Sequence, residues 1–279
     1  MSDVYLNGQF LPLDQAKVSV LDRGFIFGDG VYEVIPVYGR TPLALDRHLK
    51  RLEYSLNGVR MPHPLSSEAW ATLILELIDR EPSADQSVYV HVTRGVAPRD
   101  HAFPKDVAPT VFAMTKPLSP PPAAWIRDGV AAVTHDDFRW LRCDLKTTSL
   151  LANVLLRQLA VDAGATECLL IRDGFLTEGA ASNALVVLDG RLLAPPRNHL
   201  LLPGITYDLV LEAAQRHGIP HEERPVAEAE LRRAEEVMLT SSTREIVPIT
   251  CLDGQPVGNG RPGPVTMRLL ELYQEYKRP

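Results

Sequence analysis

The sequence predicts an α+β protein of two domains. Segments of strand and of helix character mix without a regular βαβ alternation, and no internal repeat relates the two halves. A proline-rich run, KPLSPPPAAW, interrupts the pattern, and consecutive prolines join neither a helix nor a central strand. The expected division is a small N-terminal domain, 1–116, a connector, 117–122, and a larger C-terminal domain, 123–279, with a cleft between the two.

At the N-terminus VYLNGQFLPL holds Asn7-Gly8 between two extended runs, a hairpin signal. KVSVLDRG and VYEVIPVYGRTPL read as further strands. DRHLKRLEYSLNG reads as a helix with Asp46 as its N-cap, a stripe of Leu45, Leu49, Leu52 and Leu56, and Gly58 at its end. SSEAWATLILELIDRE is a second helix with Trp70, Leu73, Ile74, Leu77 and Ile78 inward. SVYVHVTRG and PTVFAMT return to strand character. Beyond the connector, strands are expected around GVAAVTH, ECLLIRDG, NALVVLDGRLLAP and EEVMLT. Helices are expected after Ser149, after Thr206 and over VTMRLLELYQEY. In the first of these, Leu151, Leu155, Leu156 and Leu159 form the apolar face.

The composition narrows the function. Of 279 residues, 45% are hydrophobic and 23% charged, the balance of a globular protein. A formal net charge of -6 argues against a nucleic-acid surface. No basic stretch leads into an apolar one at the N-terminus, and no apolar run approaches a membrane span. Cys143, Cys168 and Cys251 are scattered without metal-ligand spacing, which fits a reducing cytoplasm and no metal site.

Five features carry chemistry. Lys146 stands just before an apolar helix. It reads either as a lysine reaching to solvent or as a desolvated amine able to bond a carbonyl. Glu178, between Thr177 and Gly179 in an apolar hairpin, reads as an exposed loop acid or as the partner of a heterocyclic nitrogen. In LLPGITYDLVLEAA, Ile205 and Thr206 present amides at a helix start, a ready anion site. In VMLTSSTREIVP, Ser241, Ser242 and Thr243 suit a phosphate or a simple polar turn. Arg51, on the leucine-striped helix, is either a two-pronged cation or an ordinary surface arginine.

Together DRGFIFGDGVYEV, RHLKRL, VTRGVAPRDHAFP, CDLK, TEGAASN, LPGIT and LTSST resemble, in order and over nearly the whole chain, the type IV fold of pyridoxal-phosphate enzymes. That family holds the D-amino acid and branched-chain aminotransferases and aminodeoxychorismate lyase. The likeness is nearest to D-amino acid aminotransferases, through Arg99, His101, Phe103 and Pro104 of the R-x-H-x-F-P run. The resemblance implies pyridoxal 5′-phosphate in the interdomain cleft, joined to Lys146 as a Schiff base, with Glu178 at the pyridine nitrogen. It implies Arg51, Ile205, Thr206, Ser241 and Ser242 at the phosphate, and Leu202 against the ring. Tyr32 would line the substrate pocket and meet the α-carboxylate with Arg99 and His101, these two lent by the neighbouring subunit of a homodimer. The implied reaction moves an amino group from a D-amino acid such as D-alanine to a 2-oxo acid such as 2-oxoglutarate, with ping-pong kinetics. A branched-chain L-amino acid aminotransferase, aminodeoxychorismate lyase and a non-catalytic cofactor- or phosphate-binding protein are the alternatives. A sensor needs neither Lys146 nor Glu178. One departure stands out: Ala180 and Ala181 replace serines common in relatives near the cofactor.

Overall fold

The computed structural model describes residues 3–277; the outermost residues of both expected domains, 1–2 and 278–279, lie outside. The chain forms two compact units. The first runs to Ser119 and takes in Leu145–Leu150; the second holds Pro120–Asp144 and Leu151 onward.

The first unit is built on an antiparallel sheet. Its strands are β1 (Val4–Leu6), β2 (Gln9–Leu11), β3 (Gly30–Tyr38), β4 (Thr41–Pro42), β5 (Gln86–Thr93) and β6 (Thr110–Pro117), in the order β2-β1-β6-β5-β3-β4. Asn7 and Gly8 both take positive φ, 47° and 96°, which makes the tight turn between β1 and β2. Side chains alternate along each strand. One face, with Val31, Ile35, Val88, Val90 and Ala113, buries against two helices, α2 (Leu45–Gly58) and α3 (Ser67–Arg80). The other face presents Tyr32, Val34, Tyr89, His91, Phe112 and Met114, all half-buried.

Two local expectations are corrected here. KVSVLDRG is not a strand: Asp22 accepts the Gly24 amide at 2.8 Å and turns the chain into a short helix, α1 (Arg23–Phe27). Asp46 is not the cap of α2. The cap is Ala44, held at φ 50°, and Asp46 lies in the first turn, where its charge still suits the helix dipole.

The second unit holds a mixed sheet of ten strands: β7 (Val130–Asp136), β8 (Glu167–Arg172), β9 (Phe175–Gly179), β10 (Asn183–Leu188), β11 (Arg191–Ala194), β12 (His221–Glu223), β13 (Val226–Ala227), β14 (Glu236–Ser241), β15 (Glu245–Leu252) and β16 (Gln255–Pro256). The pairs β7–β8, β7–β15 and β11–β12 are parallel and the rest antiparallel. The short helix α4 (Ala123–Asp128) leads into β7. α5 (Leu151–Asp162) packs on β7 and β8; α6 (Ile205–Arg216) and α8 (Pro264–Tyr276) pack on each other and on β14; and α7 (Glu228–Leu231) follows β13.

α5 differs from expectation. Leu156 and Ala160 point inward at 0% exposure, whereas Leu151, Leu155 and Leu159 are 73%, 52% and 39% exposed. One stripe suffices to seat α5 on the sheet, and the leucines beside it form a second apolar face that the protein's own core does not cover. The position of Lys146 also differs from the sequence reading, which put it in the C-terminal domain. Residues 145–150 belong to the first unit, because Thr147 bridges Val31 on the free edge of β3.

Candidate active site

That edge pairing fixes the backbone of Lys146. Its carbonyl accepts the Tyr32 amide at 3.0 Å, its own amide donates to Ser55 Oγ at 3.1 Å, and the Thr148 amide donates to the Gly30 carbonyl at 3.0 Å. Lys146 is therefore not in the first turn of a helix, since α5 begins at Leu151. The half-buried side chain carries Nζ to 4.2 Å from the centroid of the Tyr32 ring, a cation–π distance. Tyr89 follows at 5.8 Å from Tyr32, and His91 at 5.9 Å from Tyr89. The open face of the first sheet is thus an aromatic floor beside a flexible amine.

On the buried face, Arg51 is no surface arginine. It is 7% exposed and pairs with Glu33 through both oxygens, at 2.8 and 2.9 Å; His48 Nδ1 meets the same carboxylate at 2.8 Å. Burial opposes the charge of Glu33, but Arg51 and then His48 hold its carboxyl well below the usual range. Burial pushes the His48 imidazole down, favouring the neutral ring. Its Nε2 has no hydrogen-bond partner among the described residues. Period-2 alternation in VYEV puts Glu33 on the inner face, so its need of a partner was readable; which partner was not.

In the second unit Glu178, one residue from the end of β9, is 5% exposed, which dismisses the solvated-loop reading. Oε1 accepts from Arg139 at 2.5 Å. Oε2 accepts from Asn183 Nδ2 at 3.0 Å and from the Leu202 amide at 3.1 Å. Arg139 is clamped in turn by both oxygens of Asp137, at 2.9 Å each. Asp137 also takes Thr177 Oγ1 at 3.0 Å and Arg172 at 3.1 Å. Burial pushes the Glu178 carboxyl up to about 7 against the pull of Arg139. Burial also opposes the Arg139 charge, yet Glu178 and Asp137 outweigh it and the guanidinium stays protonated. The sequence reading missed Arg139 and Asp137; a buried acid requires donors, but nothing local names one 39 residues away.

The loop into α6 is packed against the same acid. Asn183 Nδ2 also reaches the Leu202 carbonyl at 2.8 Å, so Leu202 is held by both its amide and its carbonyl. A Cβ on Gly204 would sit 2.0 Å from Asn183 Oδ1, so only glycine lets the chain pass. Gly204 gives α6 no side-chain cap, so no side chain caps the amides at Ile205 and Thr206, the helix-start position suited to an anion. Across the β10–β14 ladder, Thr240 lies opposite Asn183, and its buried hydroxyl has no partner among the described residues. Ser241 and Ser242 follow, half-buried, at the turn into β15. Arg99 and His101 sit on an exposed loop of the first unit. No cluster of metal ligands occurs among the described residues.

The first unit thus holds an amine on a tethered backbone, and the second holds an acid buried with its own cation and a helix start without a side-chain cap. The chain belongs to the family of amino-transferase class IV, whose model matches residues 30–252. It is a pyridoxal-phosphate-dependent aminotransferase. It is 41% identical to a D-alanine aminotransferase of Bacillus licheniformis over 97% of this chain and 95% of that one. It is 38% identical to a D-alanine aminotransferase of Staphylococcus aureus (strain MW2) over 99% and 98%. In structure it resembles the branched-chain amino acid aminotransferase of Escherichia coli, with TM-score 0.92, 25% identity and coverage of 98% and 94%. It also resembles the branched-chain amino acid aminotransferase of Thermoproteus uzoniensis with norvaline, with TM-score 0.88, 25% identity and coverage of 98% and 94%. The type IV fold read from the motifs is thereby borne out.

Proposed function

We propose that the chain transfers the amino group of D-amino acids, such as D-alanine, to a 2-oxo acid, such as 2-oxoglutarate, in two half-reactions. The observation that carries this reading is similarity along the full chain to D-alanine aminotransferases, which share more of its sequence than the branched-chain enzymes do. The loop with Arg99 and His101 supports it further.

Pyridoxal phosphate, when bound, supplies an aldehyde that takes up the amino group and a ring that accepts the electron pair left at the substrate Cα. Lys146 would hold the cofactor through Nζ, and its free amine would serve as the base that moves the substrate Cα proton. The Tyr32 ring beneath Nζ limits where that amine swings. Glu178 would hold a proton at the pyridine nitrogen, and Asn183, Arg139 and the Leu202 amide fix its two oxygens so that it does not rotate away. Ile205, Thr206, Ser241, Ser242 and Arg51 would hold the phosphate, and Leu202 would lie against the ring. Tyr32, Arg99 and His101 bind the substrate carboxylate. Arg99 and His101 are lent across a homodimer, which the exposed leucines of α5 favour. Cytoplasmic placement rests on three free thiols; no helix among the described residues is long and apolar enough to cross a membrane.

The test is spectrophotometry of the purified protein with a panel of D- and L-amino acids. The cofactor band bleaches with D-alanine and regenerates with 2-oxoglutarate. Turnover of L-leucine without D-alanine would move the chain to the branched-chain class, and no bleaching with any amino acid would make it a binding protein. Borohydride reduction followed by peptide mapping places the pyridoxyl label on Lys146; a label elsewhere overturns that assignment.

A further inference from the structure

The loop that carries Arg99 and His101 is exposed, yet a buried ion cluster holds its base. Arg23 and Arg94 are 4% and 6% exposed. Both grip Asp29: Arg23 Nε at 2.8 Å, and Arg94 Nε and Nη2 at 2.7 and 3.0 Å. Although burial opposes its charge, Arg94 and Arg23 hold the Asp29 carboxyl below the usual range. Arg94 is anchored on its far side. It donates to the carbonyls of Val59 and Arg60, just past the end of α2, at 2.8 and 3.0 Å, and its guanidinium lies 3.8 Å over the Phe103 ring. Arg23 spends another donor on the loop itself. Nη1 reaches the carbonyl of Asp100 at 2.5 Å and that of Ala102 at 3.3 Å, on the residues flanking His101.

A second contact sets the side chains. Phe27, the last residue of α1, faces three groups: Arg23 at 4.8 Å, Arg99 at 5.4 Å and the His101 ring at 5.3 Å. Backbone and side chains of the R-x-H loop are therefore both referred to α1, and α1 is referred through Asp29 and Arg94 to the end of α2.

We propose that Arg23 is a positioning residue for substrate carboxylate recognition. With Asp29 and Arg94 it pins the carbonyls on either side of His101, so that the imidazole and the Arg99 guanidinium stand ready as a pair before substrate arrives. Holding them in advance removes the ordering cost that binding would otherwise meet. The ligand class is the α-carboxylate of the amino acid and of the 2-oxo acid. This inference rests on the proposed role of Arg99 and His101.

The experiment uses the holoenzyme and three variants, Arg23→Met, Phe27→Leu and Arg99→Met. Phe27→Leu keeps an apolar side chain and removes no buried charge, so it reports even where Arg23→Met folds poorly. D-alanine is compared with ethylamine, which is D-alanine without its carboxylate, in the bleaching half-reaction. The inhibition constant of propionate, an inert carboxylate, is measured alongside. Arg23→Met and Phe27→Leu are expected to raise KM for D-alanine and Ki for propionate on the order of tenfold to a hundredfold, with a smaller change in kcat, and to lower the preference for D-alanine over ethylamine to match. Equal losses with both amines, or an unmoved propionate Ki, would overturn the positioning role while Arg99→Met still raised both constants. An Arg99→Met variant with unchanged constants would instead overturn the carboxylate site itself.

Discussion

The Arg139 guanidinium and the Glu178 carboxylate meet at 2.5 Å inside the second unit, with side chains 4% and 6% exposed. The acid proposed to face the cofactor ring is thus half of a buried ion pair whose cation is itself held by Asp137. Removing one member of such a pair strands the other. Arg139→Met is expected to destabilise the protein by about 3–5 kcal/mol, and the double change Arg139→Met with Glu178→Gln by less than the sum of its parts. Urea denaturation of the parent, the two single variants and the double variant measures both, and strict additivity would mean that the pair is not coupled.

The same acid predicts a pH dependence. In the cofactor-free protein burial raises Glu178 from its ordinary value of 4.5 to about 7. A raised carboxyl favours the neutral form, so its contribution to stability is fully present below about 4.5 and is lost as pH rises through about 7. Thermal melts of the cofactor-free protein from about pH 4 to about pH 8 are expected to show that loss, and Glu178→Gln is expected to flatten it. A bound pyridinium favours the ionised form, so the holoenzyme loses less across the same range.

Gly204 and Asn183 Oδ1 are packed so closely that a methyl group does not fit between them. Gly204→Ala must move Asn183, and with it the hold on Glu178 and Leu202. The expected cost is about 1–3 kcal/mol, with weakened cofactor retention on dialysis. A variant that keeps its cofactor and its melting temperature would contradict this packing.

The exposed stripe of α5 carries the dimer prediction. Leu151→Glu combined with Leu155→Glu removes apolar area from a face that the core does not use, so the monomer fold is expected to persist while the proposed dimer dissociates. Sedimentation velocity decides the matter: a double variant as dimeric as the parent would place the interface elsewhere.

Much of this protein was legible in its residues alone. Period-2 runs and glycine turns marked the strands around Tyr32, Glu178 and Asn183, and leucine stripes marked α2 and α3, because alternation and helical spacing are properties of a chain a few residues long. Motif order then placed Lys146, Glu178, Ile205 and Ser241 on one kind of chemistry. Local spacing failed where the answer depended on what lies opposite. Arg51 read as either a two-pronged cation or a surface arginine until Glu33, on the inner face of β3, came against α2. The leucines of α5 read as one buried face until β7 and β8 took only Leu156 and Ala160. Lys146 read as part of the second domain until residues 145–150 paired with β3. Arg139 and Arg23 escaped notice because a buried charge takes its partner from whichever strand or loop the fold brings within hydrogen-bond reach, and that choice is made by the whole chain.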